Sequence, residues 1–140
     1  MAESEFYRTF EHTADLGIET WGEDMASVFA NAARAIFTEM AGEPLTGTER
    51  GPIRIEVSAS TLEELLVRWL EELLFLSATR RIIFTKFDIA EISETRVEAE
   101  AWGVDFSEAP PELEIKAVTY HELKIEKTEK GYRARFVADI

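Results

Sequence analysis

Five side chains of this 140-residue chain are of types that do chemistry and stand in unusual places: His12, Asp15, Lys116, His121 and Asp139. His12 and Asp15 belong to the run Glu11-His12-Thr13-Ala14-Asp15-Leu16-Gly17, a short corner between two alternating stretches, Phe6 to Phe10 and Leu16 to Trp21. Such a corner holds a carboxylate close to both backbones. Turn formation, with the aspartate bonded to a backbone N–H, is the commoner use of an acid there. Asp139 is penultimate. A return strand running beside the first would bring Asp139, the Ile140 carboxylate and Asp15 to one sheet edge. Three anionic oxygen donors suit a hard cation, Ca²⁺ or Mg²⁺ before zinc. The plainer alternative is a frayed acidic end that binds nothing. His12 shares parity with Phe6 and Phe10, so it reads as core-facing or turn-bonded as readily as a ligand, because oxygen-rich sites rarely take imidazole. His121 reads as a buried, hydrogen-bonded side chain that orients its neighbours, or as a contact for a partner. Lys116 is a strand-edge charge or an ion-pair partner of the acids.

These residues must be positioned by a protein whose composition already limits its roles. The chain is 46% hydrophobic, enough for one domain over residues 1–140 with a core of its own. It has no cysteine, which excludes disulfides, zinc–thiolate sites and thiol catalysis. No apolar run approaches the roughly 18 residues that span a bilayer, and Met1 to Phe6 has no signal-like apolar region. A cytoplasmic protein without membrane contact is expected. The net charge is −13, from 28 acidic against 15 basic residues. That balance repels phosphate backbones, so no direct nucleic-acid binding is expected; it favours cations or a basic protein partner, or serves solubility alone.

Along the chain, Asp24 caps a helix whose apolar stripe runs Met25, Phe29, Ala32, Ile36, Met40 and stops at Gly42. A loop with Pro44, Gly47 and Gly51 leads to a strand through Ile53, Ile55 and Val57. The strongest helix follows. Either Ser60 with Glu63 or Thr61 with Glu64 gives capping-box spacing, and Leu62, Leu65, Leu66, Trp69, Leu70, Leu73 and Leu74 form a wide stripe opposite Glu64, Arg68, Glu71 and Glu72. Phe87–Ile89 and Val97–Ala101 alternate about Ser93-Glu94-Thr95 and predict a hairpin. The stretch from Gly103 to Glu114, with Pro110-Pro111, reads as a mobile surface segment without chemistry. A long hairpin closes the chain, from Ile115 to Ile125 and from Tyr132 to Ala138, turning at Gly131. Apolar residues on both faces of its first arm predict a bulge or burial on two sides. The order ββαβα and then four strands gives an α+β fold, two helices against a mostly antiparallel sheet.

The corner motif, the leucine-rich helix from Ser60 to Leu74, the run Ile115-Lys116-Ala117-Val118-Thr119-Tyr120-His121 and the ending Phe136-Val137-Ala138-Asp139-Ile140 together resemble the archease family over essentially the whole chain. The resemblance implies a two-layer α+β sandwich and a non-catalytic role. The implied partner is the RtcB-type RNA ligase of tRNA splicing and RNA repair, whose guanylylation and repeated turnover the protein would promote. It also implies a divalent metal on an acidic tip, Ca²⁺ first, with Mg²⁺ or Mn²⁺ as alternatives. By position, the metal ligands are Asp15, Asp139 and the terminal oxygen of Ile140, while His12, Lys116 and His121 would support the site or touch the partner. The Arg80-Arg81 step is more basic than the family leads one to expect. Two other readings compete, a metal-dependent hydrolase using Asp15 and Asp139 with His12 or His121 as base, and a holdase-like chaperone. The hydrolase lacks a glycine-rich phosphate loop or an HExxH motif.

Overall fold

The computed structural model describes residues 6–12 (11 and 12 by backbone alone), 15–42 and 46–140. The elements are β1 (Tyr7–His12), β2 (Asp15–Gly22), α1 (Met25–Ala41), β3 (Arg50–Ser58), α2 (Leu62–Arg80), β4 (Ile82–Ile92), β5 (Arg96–Asp105), β6 (Ala117–Thr128) and β7 (Gly131–Asp139). The α+β architecture of two helices and antiparallel strands is as read from the sequence. The strands divide into two sheets, one of four in the order β1-β2-β7-β6 and one of three in the order β3-β5-β4. Every neighbouring pair is antiparallel.

The helices explain the division. On α1, Val28, Phe29, Ala32, Ala33, Ala35, Ile36, Phe37 and Met40 are all buried, an arc wider than half the circumference. One flat sheet cannot cover such an arc. Accordingly α1 packs on β2 and β7 of the first sheet and on β4 of the second, while α2 meets β6 of the first and β3, β4 and β5 of the second. Burying a leucine or phenylalanine of this kind contributes about 1.5–3 kcal/mol, so the helix pair is the main source of cohesion between the sheets. Between the helices the indole N–H of Trp69 donates to the Phe29 carbonyl at 3.0 Å, which satisfies a polar group at full burial.

The helix ends follow the local signals. Asp24 accepts from the Ser27 N–H at 2.8 Å in a capping box, and Gly42, at φ 84°, donates to the Thr38 carbonyl at 2.7 Å. At α2 the Thr61–Glu64 alternative is realised: Thr61 Oγ1 accepts from the Glu64 N–H at 3.2 Å, and Glu64 reaches back to the Ser60 N–H at 2.7 Å. The strand β3 begins at Arg50, ahead of the expected start, and its register slips between Arg50 and Ile53. Pro44 lies outside the described residues.

The segment between β5 and β6 departs from expectation. Instead of lying loose on the surface, it is tied to both helix ends. The Phe106 N–H donates to the Arg81 carbonyl at 2.9 Å, and the N–H groups of Glu112 and Leu113 donate to the Met40 carbonyl at 2.7 and 3.2 Å. Ala109 and Ile115 are buried. The last carbonyls of a helix need partners, and here a distant loop supplies them.

A candidate cation site at one end of the four-stranded sheet

Strand register decides where the sequence-predicted residues meet. Antiparallel pairing of β2 with β7 sets Asp15 directly opposite Asp139, and pairing of β1 with β2 sets His12 opposite Asp15. Across β6 the same row continues to Ala117, and the Lys116 N–H donates to the Asp139 carbonyl at 2.8 Å. One row at the sheet end therefore holds His12, Asp15 and Asp139, with Lys116 and Ile140 adjoining it in the chain. Residues opposite one another share a face, so the two carboxylates stand on the same side, away from the core face that carries Leu16, Ile18, Ala138 and Phe136.

The structure treats the accessory residues differently. Lys116 reaches Asp139 through its backbone, and its side chain is exposed. Thr13, Ala14 and the His12 side chain lie outside what is described. Ile140 is 42% exposed. His121 is not buried, contrary to the first of its two readings: its side chain is 66% exposed, and Nε2 lies 3.7 Å from Glu122 Oε2. The cause is a bulge in β6, where the register slips between Thr119 and Lys124 and Glu122 adopts a left-handed φ of 57°. The extra residues turn Tyr120 and His121 outward. The bulge itself is one of the two outcomes the apolar pattern predicted.

Further along the same face, charges are paired. Glu19 is nearly buried and lies 2.6 Å from Arg8, with Arg135, its cross-strand partner, at 3.8 Å. The Arg135 guanidinium stacks 3.7 Å over the Phe10 ring, which lies across Gly17. Arg133 bonds Glu126 and holds its carboxyl below the usual carboxylate range. Two further contacts are illegible in the sequence. Glu71, assigned by periodicity to the solvent face of α2, accepts from the Val118 N–H at 3.0 Å and covers the open edge of β6. The Arg8–Glu19–Arg135 clamp joins three strands whose pairing no local pattern reveals.

The donor set at the Asp15–Asp139 row is tested by its chemistry. Two carboxylates placed face to face repel, and a hard cation removes that repulsion while taking oxygen ligands of the kind present. Among the described residues no group of three or more histidine, cysteine, aspartate or glutamate side chains is arranged to hold a metal. The row offers two carboxylates with Ile140 next in the chain, oxygen donors of the kind that Ca²⁺ and Mg²⁺ take and structural zinc sites do not.

The chain has clear relatives. The model of the archease protein family (MTH1598/TM1083) matches residues 7–140. The archease of Methanosarcina mazei is 41% identical over 142 residues, covering 96% of this chain and 95% of that protein. The archease of Saccharolobus solfataricus is 40% identical over 141 residues, covering 96% and 98%. Protein 1598 of Methanobacterium thermoautotrophicum, solved in solution, superposes with a TM-score of 0.77 at 31% identity over 98% of this chain and 100% of that one. An archease of Thermotoga maritima, described as a possible chaperone, shares the fold with a TM-score of 0.60 at 22% identity over 99% and 100%. A family match over nearly the full length, close relatives and a shared fold place this chain in the archease family.

Proposed function

We infer that this chain is a non-catalytic activator of an RtcB-type RNA ligase, acting through a divalent cation, Ca²⁺ first, held by Asp15, Asp139 and the terminal carboxylate of Ile140. The observation that carries the reading is the direct cross-strand opposition of Asp15 and Asp139 in a member of this family. Guanylylation gathers a nucleoside triphosphate, a divalent metal and a nucleophile where negative charge accumulates. A cation at the tip supplies positive charge at that point. The chain's own part is to present two carboxylates at a sheet end and to offer an acidic surface to the ligase's basic RNA groove when RNA is absent. With a net charge of −13, the encounter is electrostatically steered, so raised salt slows association.

Of the two bases that the hydrolase alternative names, His121 sits in the bulge beyond Thr119 with its ring beside Glu122, and the His12 side chain lies outside the described residues.

An RNA-ligation assay tests the reading. The chain alone joins no RNA ends, and with the ligase it converts a single turnover into many. Asp15→Asn, folded by circular dichroism, loses the stimulation. A folded Asp15→Asn protein that stimulates fully sinks the cation part of the reading, and a wild-type chain that leaves the ligase unchanged sinks it whole.

A further inference from the structure

A cleft of about 500 Å³ opens between the last turns of α1 and α2 and the segment joining β5 to β6. Its walls are apolar, from Met40, Leu74, Ala78, Phe106 and Ile115, and Glu112 and Glu114 stand exposed among its lining residues. The hydrogen bonds from Phe106, Glu112 and Leu113 to the helix ends hold the walls in place, so the cleft is preformed.

Phe75 lies on α2 three residues before Ala78, which lines the cleft. It is 61% exposed, an unusual position for a phenylalanine on a helix otherwise packed on both sheets. Helical spacing places it on one stripe with Glu71, which bonds β6 at Val118, and Ala78, which lines the cleft. The cleft also adjoins the cation row. Ile115 in its wall is followed by Lys116, whose N–H bonds the Asp139 carbonyl. The apolar pocket and its acidic rim are thus joined through the backbone to the strand row that holds Asp139.

We propose that this cleft is a second anchor for the protein partner, receiving an apolar side chain carried on a basic segment. The inference rests on the activator reading and deepens it. Charge chooses the occupant: Glu112 and Glu114 attract lysine and arginine flanking the anchor, whereas a second copy of a chain carrying −13 would bring like charge to the same rim. A buried aromatic contact beside an acidic rim has the composition of a binding hot spot.

The test measures affinity of the full-length chain for the purified RtcB-type ligase in calcium, by surface plasmon resonance, together with ligation turnover. Phe75→Ser and Ala78→Gln alter exposed positions, so both fold; Glu112→Gln/Glu114→Gln removes the rim charge. Binding by Phe75→Ser and by Ala78→Gln weakens about tenfold, the scale of one good anchor, while calcium affinity and melting temperature stay as in the wild type. The rim variant lowers the salt dependence of the association rate. Cleft variants that bind and stimulate within twofold of a working wild type overturn this inference and leave the activator reading standing. A wild type that does not bind the ligase overturns both. A change in sedimentation of the variants without a change in ligase affinity assigns the cleft to self-association and overturns the proposal.

Discussion

Several carboxylate pairs face one another across strands among the described residues, Asp88–Glu100 and Glu91–Glu98 among them, and two of these pairs, Glu56–Glu98 and Asp15–Asp139, sit in different surroundings. In the three-stranded sheet Glu56 lies opposite Glu98, and both arginines nearby bridge the pair: Arg54 reaches Glu56 at 3.0 Å and Glu98 at 2.6 Å, and Arg96 reaches them at 2.9 and 2.7 Å. In the four-stranded sheet Asp15 lies opposite Asp139, beside Ile140. The first pair is neutralised by its own chain and is a piece of sheet surface. The second stands at a sheet end beside the terminal residue. Like charges placed opposite each other weaken a sheet unless something compensates them. On the activator reading, the second pair is where a bound cation would supply the compensation.

Experiments can break or sharpen that contrast. The largest effect is expected from the cation. If only the Asp15–Asp139 pair recruits one, calcium at 100 times its Kd stabilises the wild type by about 2.7 kcal/mol. Asp139→Asn removes that gain and Glu98→Gln keeps it, as read by chemical denaturation with and without chelator. An equal calcium response in Asp139→Asn would erase the distinction. A third carboxylate, Glu71, is satisfied in yet another way, by a backbone N–H. Glu71→Ala leaves Val118 without its acceptor at the β6 edge and costs about 1–2 kcal/mol, calcium present or absent.

Next comes Asp15→Asn in chelator. If the two carboxylates repel across the strands, the substitution raises metal-free stability by up to about 1 kcal/mol, whereas loss of stability would show that the acid serves the sheet itself. Arg96→Gln should act in the opposite sense at the other pair, lowering stability by leaving Glu56 and Glu98 less compensated, with calcium affinity untouched. The smallest effect concerns pH. The hydrogen bond from Arg96 holds the Glu98 carboxyl below the usual carboxylate range, and Ser27 does the same for Asp24 at the α1 cap. A depressed carboxyl binds its proton less readily folded than unfolded. Its contribution is present above the ordinary carboxylate pKa near 4 and is lost as pH falls through the lowered folded value. The Glu98→Gln protein should lose less stability between pH 5 and pH 2 than the wild type when melting is followed across that window.

The contrast also shows how far the sequence could be read. Helix caps and stops were legible, because Asp24, Gly42 and the Thr61–Glu64 pair act on backbone groups within one turn. Alternation correctly set Leu16 and Ile18 against Asp15 and Glu19, since strand parity is local. His121 was misread as buried in the first of its two readings because a bulge shifts parity without changing composition. The segment before β6 was misread as mobile because the Met40 carbonyl that ties it lies some 70 residues earlier in the chain, beyond any local pattern.

What the sequence determined by itself was element type, helix boundaries, the α+β class and the acidic character of the surface, each set by short-range spacing or by composition. Only the tertiary structure decided that the strands form two sheets, that Glu71 guards an edge, that a cleft lies between the helix ends and the segment joining β5 to β6, and that Asp15 and Asp139 stand face to face. Those facts depend on contacts between segments distant in the chain, more than 100 residues apart for Asp15 and Asp139, and register is fixed by burial of both helices against two sheets at once.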